Sequence, residues 1–397
     1  MAIQGGPDIV EDGLVLHLDA AEPLCFRGEP TTNVVANPNP TSGWGGSNSQ
    51  GSTITRSFLT ENGVPFMRFS GVTNGSDYPR VTDSVFTNSA TITGSFSTSL
   101  EARGTSGAQI RLRIYDNSST KITNTITLTN EWVRYKFENQ STSFALNQPY
   151  FNPVTTGATY DIRNIQIEAK PYSTSFVVGT RGSTVATGGG LLDLTNNGNN
   201  GTINRAASPS AGFYSGDNKG SLVFNGNDFI QNDSFSITPQ NNELSICLWV
   251  NSNNANNSMI IDLCNSDTPS TNRDRFSIRQ NWSYSSPTAF RTSFYFNSSS
   301  NNFQYTYLPE QMTANTWNHI GYTKRGNAIY GYLNGQQVAS KSVSGNIAAI
   351  NRVIIGNDNI SSNKLNGKVS LVSVYDHGLS ADEIQQNYNA TKGRFGL

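Results

Sequence analysis

The first strand-like segment of the chain is far in sequence from the segments that would complete its sheet. In Gly13–Ala20, GLVLHLDA, three leucines alternate with Val, His and Asp, which is the period of two expected of a β-strand. The phrase that looks like its continuation, LLDLTNNGNNGTI, begins only at Leu191. We therefore predict that Gly13–Ala20 pairs in one sheet with strands after Leu191, and that the residues between them form an inserted domain.

Composition narrows the class of protein. Charged residues make up 14% of the chain and the net charge is −1, so no broad electrostatic attraction to nucleic acid or to an anionic membrane is expected. No stretch approaches the ~20 apolar residues that span a bilayer, and the first residues lack the pattern of a signal peptide. Aromatic residues at 10%, together with recurrent Val, Ile and Thr, argue against disorder. We predict an all-β protein with two sandwich domains and no membrane insertion.

The three cysteines, Cys25, Cys247 and Cys264, predict no disulfide framework and no zinc site, because their number is odd and their spacing is not clustered. Cys247 and Cys264 lie in apolar runs and are expected to be small buried core residues.

The insert, residues 32–180, shows almost no helical pattern. Short strand candidates separated by polar loops are typical of a β-sandwich or jelly roll. The candidates are Pro65–Phe69, Ala90–Glu101, Ala108–Tyr115, Lys121–Leu128, Val133–Phe137 and Thr159–Glu168.

Three phrases of the insert, TTNVVANPNPTSGW, EWVRYKFEN and ATYDIRNIQIEAKPYSTSFVVGTRGS, resemble the carbohydrate-binding-module-like jelly rolls of phage structural proteins. The resemblance rests on Trp132 at the start of one strand and on Glu168 followed by Tyr172–Phe176. It implies a jelly-roll fold and a glycan-binding role.

Candidate site residues of the insert follow from the chemistry of sugar and calcium binding. Sugars stack on aromatic faces, and Trp44 and Tyr78 lie in loop-like contexts, GWGG and SDYPR. Trp132 begins an alternating strand and is expected in the core. Asp161 precedes the last strand, where jelly rolls of this kind often place a structural calcium ligand, although calcium requires six to eight oxygens from several segments.

The second half of the chain carries several turn and cap signals. Asn334-Gly335 predicts a tight hairpin turn, because both residues tolerate positive φ. Ser380 followed by Glu383 predicts a capping box for one short helix, Ala381–Asn389. In TWNHIGYTK, alternation places Asn318, Ile320 and Tyr322 on one strand face and Trp317 and His319 on the other. In NGKVSLVSVYD, alternation places Val369, Leu371 and Ser373 on one strand face.

Taken in order, KGSLVFNGNDFIQ, NNELSICLWVNS, NTWNHIGYTKRGNAIYGYLNGQQVAS, VIIGNDN and LNGKVSLVSVYDHGLSADEIQQNYN resemble the laminin-G-like, concanavalin-A-like jelly roll. The resemblance covers Leu191–Asn389 together with Gly13–Ala20. It implies three segments: an N-terminal attachment segment at 1–12, a discontinuous sandwich at 13–31 and 181–397, and the insert at 32–180. Residues 1–12 contain two glycines and a proline and are expected to be ordered only against a partner or a second copy.

The chemistry of the second half points away from catalysis. Glucanases of this fold place paired carboxylates on one strand face, and no such pattern is found, so no catalytic residue is predicted. His319 is expected to be structural rather than a base. Asp228 occupies a position where related domains bind calcium, but Asn225 and Asn227 replace two of the usual acids. Structural calcium is the one cofactor that the resemblances suggest, with Asp161 of the insert and Asp228 of the sandwich as separate candidate ligands.

These resemblances imply a non-enzymatic virion protein of a tailed bacteriophage: a capsid decoration, a head fibre or a tail-fibre component. We expect it to be made in the bacterial host cytoplasm and to act at the virion surface. Its expected partners are other capsid or tail proteins, further copies of itself and host-surface glycans, but not nucleic acid. One alternative is a secreted or cell-surface bacterial glycan-binding module or adhesin, which the missing signal peptide disfavours. The other is a glycoside hydrolase of concanavalin-A-like fold, which the missing carboxylate pattern disfavours.

Overall fold

The computed structural model describes most of the chain, and all structural statements below concern that part. The described residues are 8–35, 38–39, 44–47, 53–72, 80–83, 91–116, 119–141, 144–145, 148–195, 197–205, 211–216, 218, 220–253, 258–265, 274–282, 291–298, 302–309, 312–347, 350–358 and 364–397.

β-Strands dominate the described structure and are numbered in chain order. They are β1 (Leu14–Asp19), β2 (Phe26–Gly28), β3 (Thr31–Thr32), β4 (Trp44–Ser47), β5 (Thr53–Glu61), β6 (Val64–Val72), β7 (Arg80–Asp83), β8 (Thr91–Ile92), β9 (Ser95–Gly104), β10 (Gln109–Asp116), β11 (Ser119–Thr127), β12 (Val133–Ser141), β13 (Phe144–Ala145), β14 (Gln148–Pro153), β15 (Thr159–Glu168), β16 (Thr180–Arg181), β17 (Gly190–Leu191), β18 (Thr202–Asn204), β19 (Tyr214–Ser215), β20 (Ser221–Asn225), β21 (Phe229–Asn232), β22 (Leu244–Ser252), β23 (Ser258–Cys264), β24 (Arg275–Trp282), β25 (Arg291–Ser298), β26 (Asn302–Tyr307), β27 (Trp317–Arg325), β28 (Ala328–Leu333), β29 (Gln336–Ser342), β30 (Arg352–Ile355) and β31 (Asn366–Tyr375). One α-helix, α1, spans Ala381–Thr391, and short 3-10 helices cover Val185–Thr187, Gln240–Asn242 and Lys392–Phe395. The predicted all-β class with a short C-terminal helix is confirmed.

The chain divides into two compact units. Unit 1 comprises Met1–Pro30, Gly182–Ala207 and Phe213–Leu397, and unit 2 comprises Thr31–Arg181 and Ser208–Gly212. Unit 1 contains an eight-stranded antiparallel sheet in the order β19-β20-β31-β22-β27-β28-β29, with β1 also paired to β31. Its second sheet has seven strands in the order β18-β21-β30-β23-β24-β25-β26.

The strand β1 pairs with β31, from His17 opposite Ser373 to Asp19 opposite Leu371, which confirms the prediction that Gly13–Ala20 joins strands after Leu191. The LLDLTNNGNNG phrase explains why this pairing is specific. The Asp193 carboxylate accepts from the His17 backbone N–H at 3.1 Å and from the Asn199 backbone N–H at 3.1 Å. The Asn199 amide in turn donates to the Val15 carbonyl at 2.8 Å. The polar loop therefore satisfies backbone groups of β1 that would otherwise be buried without partners.

The core of unit 1 lies between its two sheets. A row of directly opposed residues crosses the seven-stranded sheet on its inner face: Ile230, Ile355, Ile261, Ile278 and Phe294. All five are buried in one cluster with residues of the other sheet such as Ile246, Leu248 and Tyr322. Burying each such side chain contributes about 1.5–3 kcal/mol, so this row supplies much of the attraction between the layers.

The outer face of the eight-stranded sheet is covered by α1 and the C-terminal turn. Ile384 of α1 lies above Gly321, where an added Cβ would come within 2.9 Å of it. Trp249 stacks on Phe395 at 4.0 Å between ring centroids and donates from its indole N–H to Thr391 at 2.8 Å. The helix and the turn thereby bury Trp249 on this face.

Both predicted local motifs of this region are confirmed. Asn334 and Gly335 adopt φ values of 50° and 81° and connect β28 to β29, as a type I′ turn requires. Ser380 caps α1: its hydroxyl accepts from the Glu383 backbone N–H at 3.3 Å, and the Glu383 carboxylate accepts from the Ser380 N–H at 2.8 Å. The helix runs two residues beyond the predicted end.

Alternation was interpreted correctly in one strand of unit 1 and wrongly in another. In β27, Ile320 and Tyr322 point into the core, while Trp317 and His319 point to the side of Trp249 and Tyr388. In β31, the expectation that Val369 shares a face with Leu371 is wrong. A β-bulge between the pairs Leu248–Val372 and Val250–Val369 brings Val369 into the core, because a bulge inserts one residue and reverses the alternation.

Unit 2 is also a sandwich of two antiparallel sheets. One has the order β11-β10-β14-β7-β4 and the other the order β12-β9-β15-β6-β5. Their inner faces meet in a cluster that includes Phe96, Leu112, Phe151, Tyr160 and Ile162.

The segment of unit 2 that carries the resemblance, Glu168 followed by Tyr172–Phe176, has a structural explanation. The Glu168 carboxylate accepts from the Thr174 backbone N–H at 2.9 Å and from the Thr174 hydroxyl at 2.7 Å. The Tyr172 carbonyl accepts from the Ser97 hydroxyl at 2.8 Å. Glu168 and the segment that follows it therefore fold back over the outer face of the sheet that contains β9 and β15. Ser97, Gln166 and Glu168 are buried there.

The strand predictions for the insert mark the correct regions: the bounds of Thr159–Glu168 match those of β15, and the other ranges differ. The segment predicted as one strand over 90–101 forms β8 and β9, because Gly94 adopts a φ of +86° between them. The strands β5 and β14 were not predicted, since TITRSFLTE and QPYFNP lack a clear apolar alternation.

The described part of the N-terminal segment lies on unit 1. Val10 is buried beside Leu379 and Ile384, and its backbone N–H donates to the Asn387 side chain at 2.8 Å. The Gln386 side chain donates to the Asp8 carbonyl at 2.8 Å. Residues 8–12 therefore have contacts within unit 1 itself, and the expectation that residues 1–12 need a partner in order to be ordered stays a prediction.

Candidate functional site

Polar side chains form a row across the outer face of the seven-stranded sheet. Directly opposed residues of an antiparallel ladder point to the same face, and the register gives the sequence of neighbours Thr202, Gln231, Ile354, Asp262, Ser277, Tyr295 and Tyr305. Each residue from Gln231 to Tyr295 in this row is next in sequence to a residue of the apolar core row, so the two rows point to opposite faces of the sheet. Apart from Ile354, the sheet therefore has an apolar face towards the core and a polar face on the other side.

The centre of the polar row is a buried ion pair. Arg275 donates from Nε to Asp262 Oδ1 at 3.0 Å, and its Nη2 contacts Asp262 Oδ2. The Ser277 hydroxyl donates to Asp262 Oδ1 at 2.5 Å. Burial acts to lower the pKa of the Arg275 guanidinium, but the charge and hydrogen bonds of Asp262 outweigh it and raise that pKa. This arrangement keeps the guanidinium charged and bound to the Asp262 carboxyl group.

A second pair on the same face involves Arg279 and Asp358, whose nearest nitrogen and oxygen atoms are 3.2 Å apart. Burial and the neighbouring charge of Arg275 lower the pKa of Arg279. Both central carboxylates are thus held by arginines, an arrangement suited to fixing the sheet surface rather than to exchanging protons.

A groove of ≈ 360 Å³ opens at the β18 end of this face. Its lining consists of glycine and polar residues, with no hydrocarbon side chain: Gly198, Asn200, Thr202, Asn204, Gln231, Asn232, Asp233 and Ser234. Asp233 is the one carboxylate of the lining; it accepts from the Gln231 amide at 2.7 Å and pairs with Arg352.

Several polar atoms of the groove remain available to a ligand. The Asn200 amide oxygen accepts from the Asp193 backbone N–H at 2.9 Å, and the Asn204 amide nitrogen donates to the Thr202 carbonyl at 3.3 Å. Within the described part of the chain, no partner is found for the Thr202 hydroxyl, the Gln231 amide oxygen or the Asn204 amide oxygen. Amides and hydroxyls can donate and accept at once, so apart from Asp233 the groove offers a mixed, uncharged hydrogen-bonding surface.

The structure tests the sequence-predicted aromatic contacts only in part. The backbone of Trp44 begins β4, an edge strand in which Trp44 lies opposite Asp83, and its side chain lies outside the described structure. Tyr78 lies outside the described residues. An aromatic residue that sequence reasoning missed is Tyr214, which is 40% exposed and stacks on Phe26 with ring centroids 4.9 Å apart.

The structure gives Asp161 two arginine partners instead of a set of oxygen ligands. Arg68 donates to both carboxylate oxygens at 2.8 Å, and Arg103 donates to Oδ2 at 2.9 Å. Asp161 itself is buried. Since the guanidinium groups already supply the positive charge that calcium would bring, we assign Asp161 to a structural ion pair.

Asp228 is likewise in contact with an arginine. It is fully buried, and Arg205 Nη2 lies 3.2 Å from its Oδ2 while Arg205 also pairs with Glu29. The Asn225 side chain accepts from the Asn227 backbone N–H at 3.0 Å and thereby forms a turn. Among the described residues, no group of three or more His, Cys, Asp and Glu is arranged to hold a metal ion.

Trp132 was predicted to lie in the core, and this prediction is wrong. Its ring lies on the outer face of the β9-containing sheet, with the Arg163 and Arg103 guanidinium carbons 4.0 and 4.6 Å from its centroid. Its indole N–H donates to Glu61 at 2.6 Å. The strand begins one residue later, so alternation from Val133 directs Trp132 outward.

His319 and the cysteines are structural, as predicted. Complete burial lowers the pKa of His319 to about 3, which leaves the imidazole neutral near pH 7. Cys25, Cys247 and Cys264 are free and buried. In the described structure, no helix is long and apolar enough to cross a membrane.

The comparison with known families assigns the class of unit 1. Residues 224–385 match the family described as the Concanavalin A-like lectin/glucanases superfamily. Together with the two antiparallel sheets, this match makes that part of the chain a concanavalin-A-like jelly-roll domain. No curated protein matches the chain.

Three solved structures are similar to parts of this chain. Domain 4 of AbnA, a GH43 extracellular arabinanase from Geobacillus stearothermophilus in complex with arabinotriose, is 18% identical, with a TM-score of 0.38 over 49% of this chain and 91% of that one. The botulinum neurotoxin type G receptor binding domain is 15% identical, with a TM-score of 0.36 over 50% and 48%. A native heptameric SAP-like pentraxin from Limulus polyphemus is 15% identical, with a TM-score of 0.29 over 38% and 69%. The chain thus spans about half the length of the neurotoxin domain, and scores of this size transfer no ligand to it.

Proposed function

We propose that the protein is a non-enzymatic carbohydrate-binding protein and that the groove at β18 and β21 holds a neutral glycan. The carrying observation is the lining of this groove, in which amides and hydroxyls predominate and Asp233 is the one charged side chain. A neutral, hydroxyl-rich ligand is recognised by groups that both donate and accept hydrogen bonds. The family match over residues 224–385, which includes the β21 side of the groove, supports a carbohydrate ligand because lectins belong to that family.

The absence of catalysis is part of this proposal. Glycoside hydrolysis uses two carboxyl groups on either side of the scissile bond. The groove lining contains Asp233 as its one carboxylate, and Asp262 and Asp358 on the same sheet face are each bound to an arginine. A polysaccharide incubated with the protein should therefore show no release of reducing ends. Release that is abolished by Asp233→Asn would overturn this part of the proposal.

We place the protein on the surface of a tailed-bacteriophage virion, as a capsid decoration, head fibre or tail-fibre component. The support is that the opening strand, the inserted module and the NGNNGT and LSADEIQQNYN phrases together resemble phage structural proteins. A net charge of −1 also suits an exposed, repeated surface, because it avoids non-specific attraction to polyanions. Labelled antibody against the purified protein should bind intact particles in electron micrographs. Particles free of label, with the protein confined to bacterial membranes, would favour the adhesin alternative.

Glycan binding is tested on the groove side chains. Each hydrogen bond to a neutral group contributes about 1 kcal/mol, so Asn204→Ala and Gln231→Ala should each weaken glycan binding about five-fold. Binding is measured by titration calorimetry with the glycan selected on an array. Gln337→Ala, an exposed amide on β29, is the matched control and should leave affinity unchanged. Equal affinity of all three variants and the wild-type protein would exclude the groove as the site.

A further inference from the structure

The strand β5 is an edge strand of unusual exposure. It is last in the sheet order β12-β9-β15-β6-β5, and in the described structure its hydrogen-bonded neighbour is β6. The register with β6 runs without a bulge from Thr53 opposite Val72 to Glu61 opposite Val64. The side chains of residues 55–60 are all exposed. Among the described residues, no strand pairs with the other edge of β5 along residues 55–60.

Two large apolar side chains lie in the middle of this edge. Phe58 and Leu59 are each 38% exposed. As consecutive residues of a strand, they point to opposite faces of the sheet, so both faces of the edge are apolar at the same position. Proteins normally protect such edges with lysine, proline, bulges or short strands. The run TRSFLT at residues 55–60 has neither lysine nor proline, and its register is regular.

The charges of β5 favour a second copy of the same strand. Arg56 is its one basic residue and Glu61 its one acidic residue, so the strand carries no net charge. Glu61 is already engaged: Arg103 donates to it at 3.1 Å and the Trp132 indole at 2.6 Å. A copy approaching this edge therefore meets neither a repulsive field nor an unpaired carboxylate.

We propose that β5 pairs antiparallel with β5 of a second copy, so that two five-stranded sheets join into one continuous sheet across a two-fold axis. A two-fold axis normal to the sheet keeps each face on its own side, and a residue on the axis then lies opposite itself. Centring on Arg56 would oppose two like charges, which is unfavourable. Centring on Phe58 opposes two exposed aromatic rings, a favourable cross-strand pair.

The register centred on Phe58 has consistent neighbours. Arg56 lies opposite Thr60 of the partner subunit, and Leu59 lies opposite Ser57 of the partner subunit. The two Leu59 side chains are then diagonal neighbours on the other face. This register covers the two exposed apolar residues of the strand, Phe58 and Leu59, and leaves Arg56 away from its symmetry mate.

The first test is the mass of the full-length chain in solution, measured by light scattering over a range of concentrations. The wild-type protein should be a dimer, and Phe58→Lys should be monomeric, because it sets two ammonium groups opposite each other. Val178→Lys changes an equally apolar and more exposed residue of unit 2, 63% exposed, and should remain dimeric. A monomeric wild-type protein, or a dimeric Phe58→Lys variant with an unchanged circular dichroism spectrum, would overturn the proposal.

Cross-linking tests the register and does not depend on the lysine variant. Phe58→Cys should form a disulfide-linked dimer under mild oxidation, whereas Leu59→Cys should cross-link at least ten-fold more slowly. The native thiols will not compete, because all three are buried and burial raises the pKa of Cys25 and Cys247 to about 12. Equal cross-linking of the two variants, or none in either, would refute this register. Glycan affinity of the lysine variant should be unchanged, which separates this interface from the proposed groove.

Discussion

At the scale of single residues, the sequence indicates local chemistry well and long-range partners poorly. Ser380 and Glu383 could be paired from sequence because a capping box is complete within four residues. Asp161 could not be assigned, since its partner Arg68 reaches it only through the pairing of β15 with β6. Asn204 and Gln231 were likewise missed, because their position in one groove depends on the register of β18 against β21. Residues whose role depends on a non-local register are those that sequence reasoning fails to find.

Asp161 gives a prediction at this scale. Asp161→Asn removes the charge that two arginines share and leaves them facing a neutral amide, so the variant should lose about 2 kcal/mol of unfolding free energy. This estimate allows for the partial exposure of Arg68 and Arg103. Chemical denaturation of wild type and variant measures the loss, and Asp382→Asn, an exposed acid in the first turn of α1, is the control. A calcium-dependent rise in melting temperature that the variant loses would instead show a metal role for Asp161.

At the scale of elements, alternation predicts strands where one face is buried and fails where a bulge or an exposed edge changes the rule. The strand β10 was predicted because its apolar residues Ile110, Leu112 and Ile114 recur at every second position. The β-bulge in β31 reversed the alternation after Val369, and no short-range signal marks it. The strand β5 was missed because it is stabilised by one neighbouring strand rather than by a buried face. Bulges and edges are set by the sheet as a whole, so their positions cannot be found from one segment.

The cap of α1 yields a prediction with a defined pH dependence. Ser380→Ala should cost about 1 kcal/mol, because it removes the acceptor of the Glu383 backbone N–H and one donor to the Glu383 carboxylate. Ser340→Ala, an exposed serine on β29, is the control and should change stability little. Thermal unfolding at pH 7 measures both effects, and equal melting temperatures for the two variants would contradict the role assigned to the cap.

The same cap weakens in acid. Burial acts to raise the pKa of Glu383, but the hydrogen bonds from Ser380 outweigh it, so the pKa is lowered in the folded state. A lowered folded-state pKa stabilises the protein above the pKa of the unfolded chain, about 4.3, and this stabilisation is lost as the pH falls through the folded-state value. Glu383→Gln should therefore reduce the difference in stability between pH 6 and pH 3. An identical pH dependence in wild type and variant would show that the carboxylate contributes nothing to the cap.

At the scale of the whole molecule, the proposed glycan site and the proposed dimer interface lie in different units. The groove belongs to unit 1 and the edge strand β5 to unit 2. The two ends of the insert lie side by side, because β3 and β16 pair with Thr32 opposite Thr180 and Thr31 opposite Arg181. Antiparallel partners are about 5 Å apart between Cα atoms, so the insert enters and leaves unit 2 at one place. Insertions with adjacent ends disturb the host domain little, which explains why a sandwich can tolerate an interruption after its first strands.

This adjacency predicts that the insert can be removed. Deleting Thr31–Arg181 and joining Pro30 to Gly182 through two glycines bridges a gap of the size that the β3–β16 pair spans. Unit 1 should fold, because its sheets, the β1–β31 pairing and the Asp193 loop all lie outside the deletion. The shortened protein should retain the glycan affinity of the full chain, since every lining residue of the groove remains, and should be monomeric, since β5 is gone. Calorimetry and light scattering on the same sample read both properties. A folded, monomeric product that no longer binds glycan would show that the groove is not the binding site. A folded product that remains dimeric would place the interface in unit 1 and exclude β5.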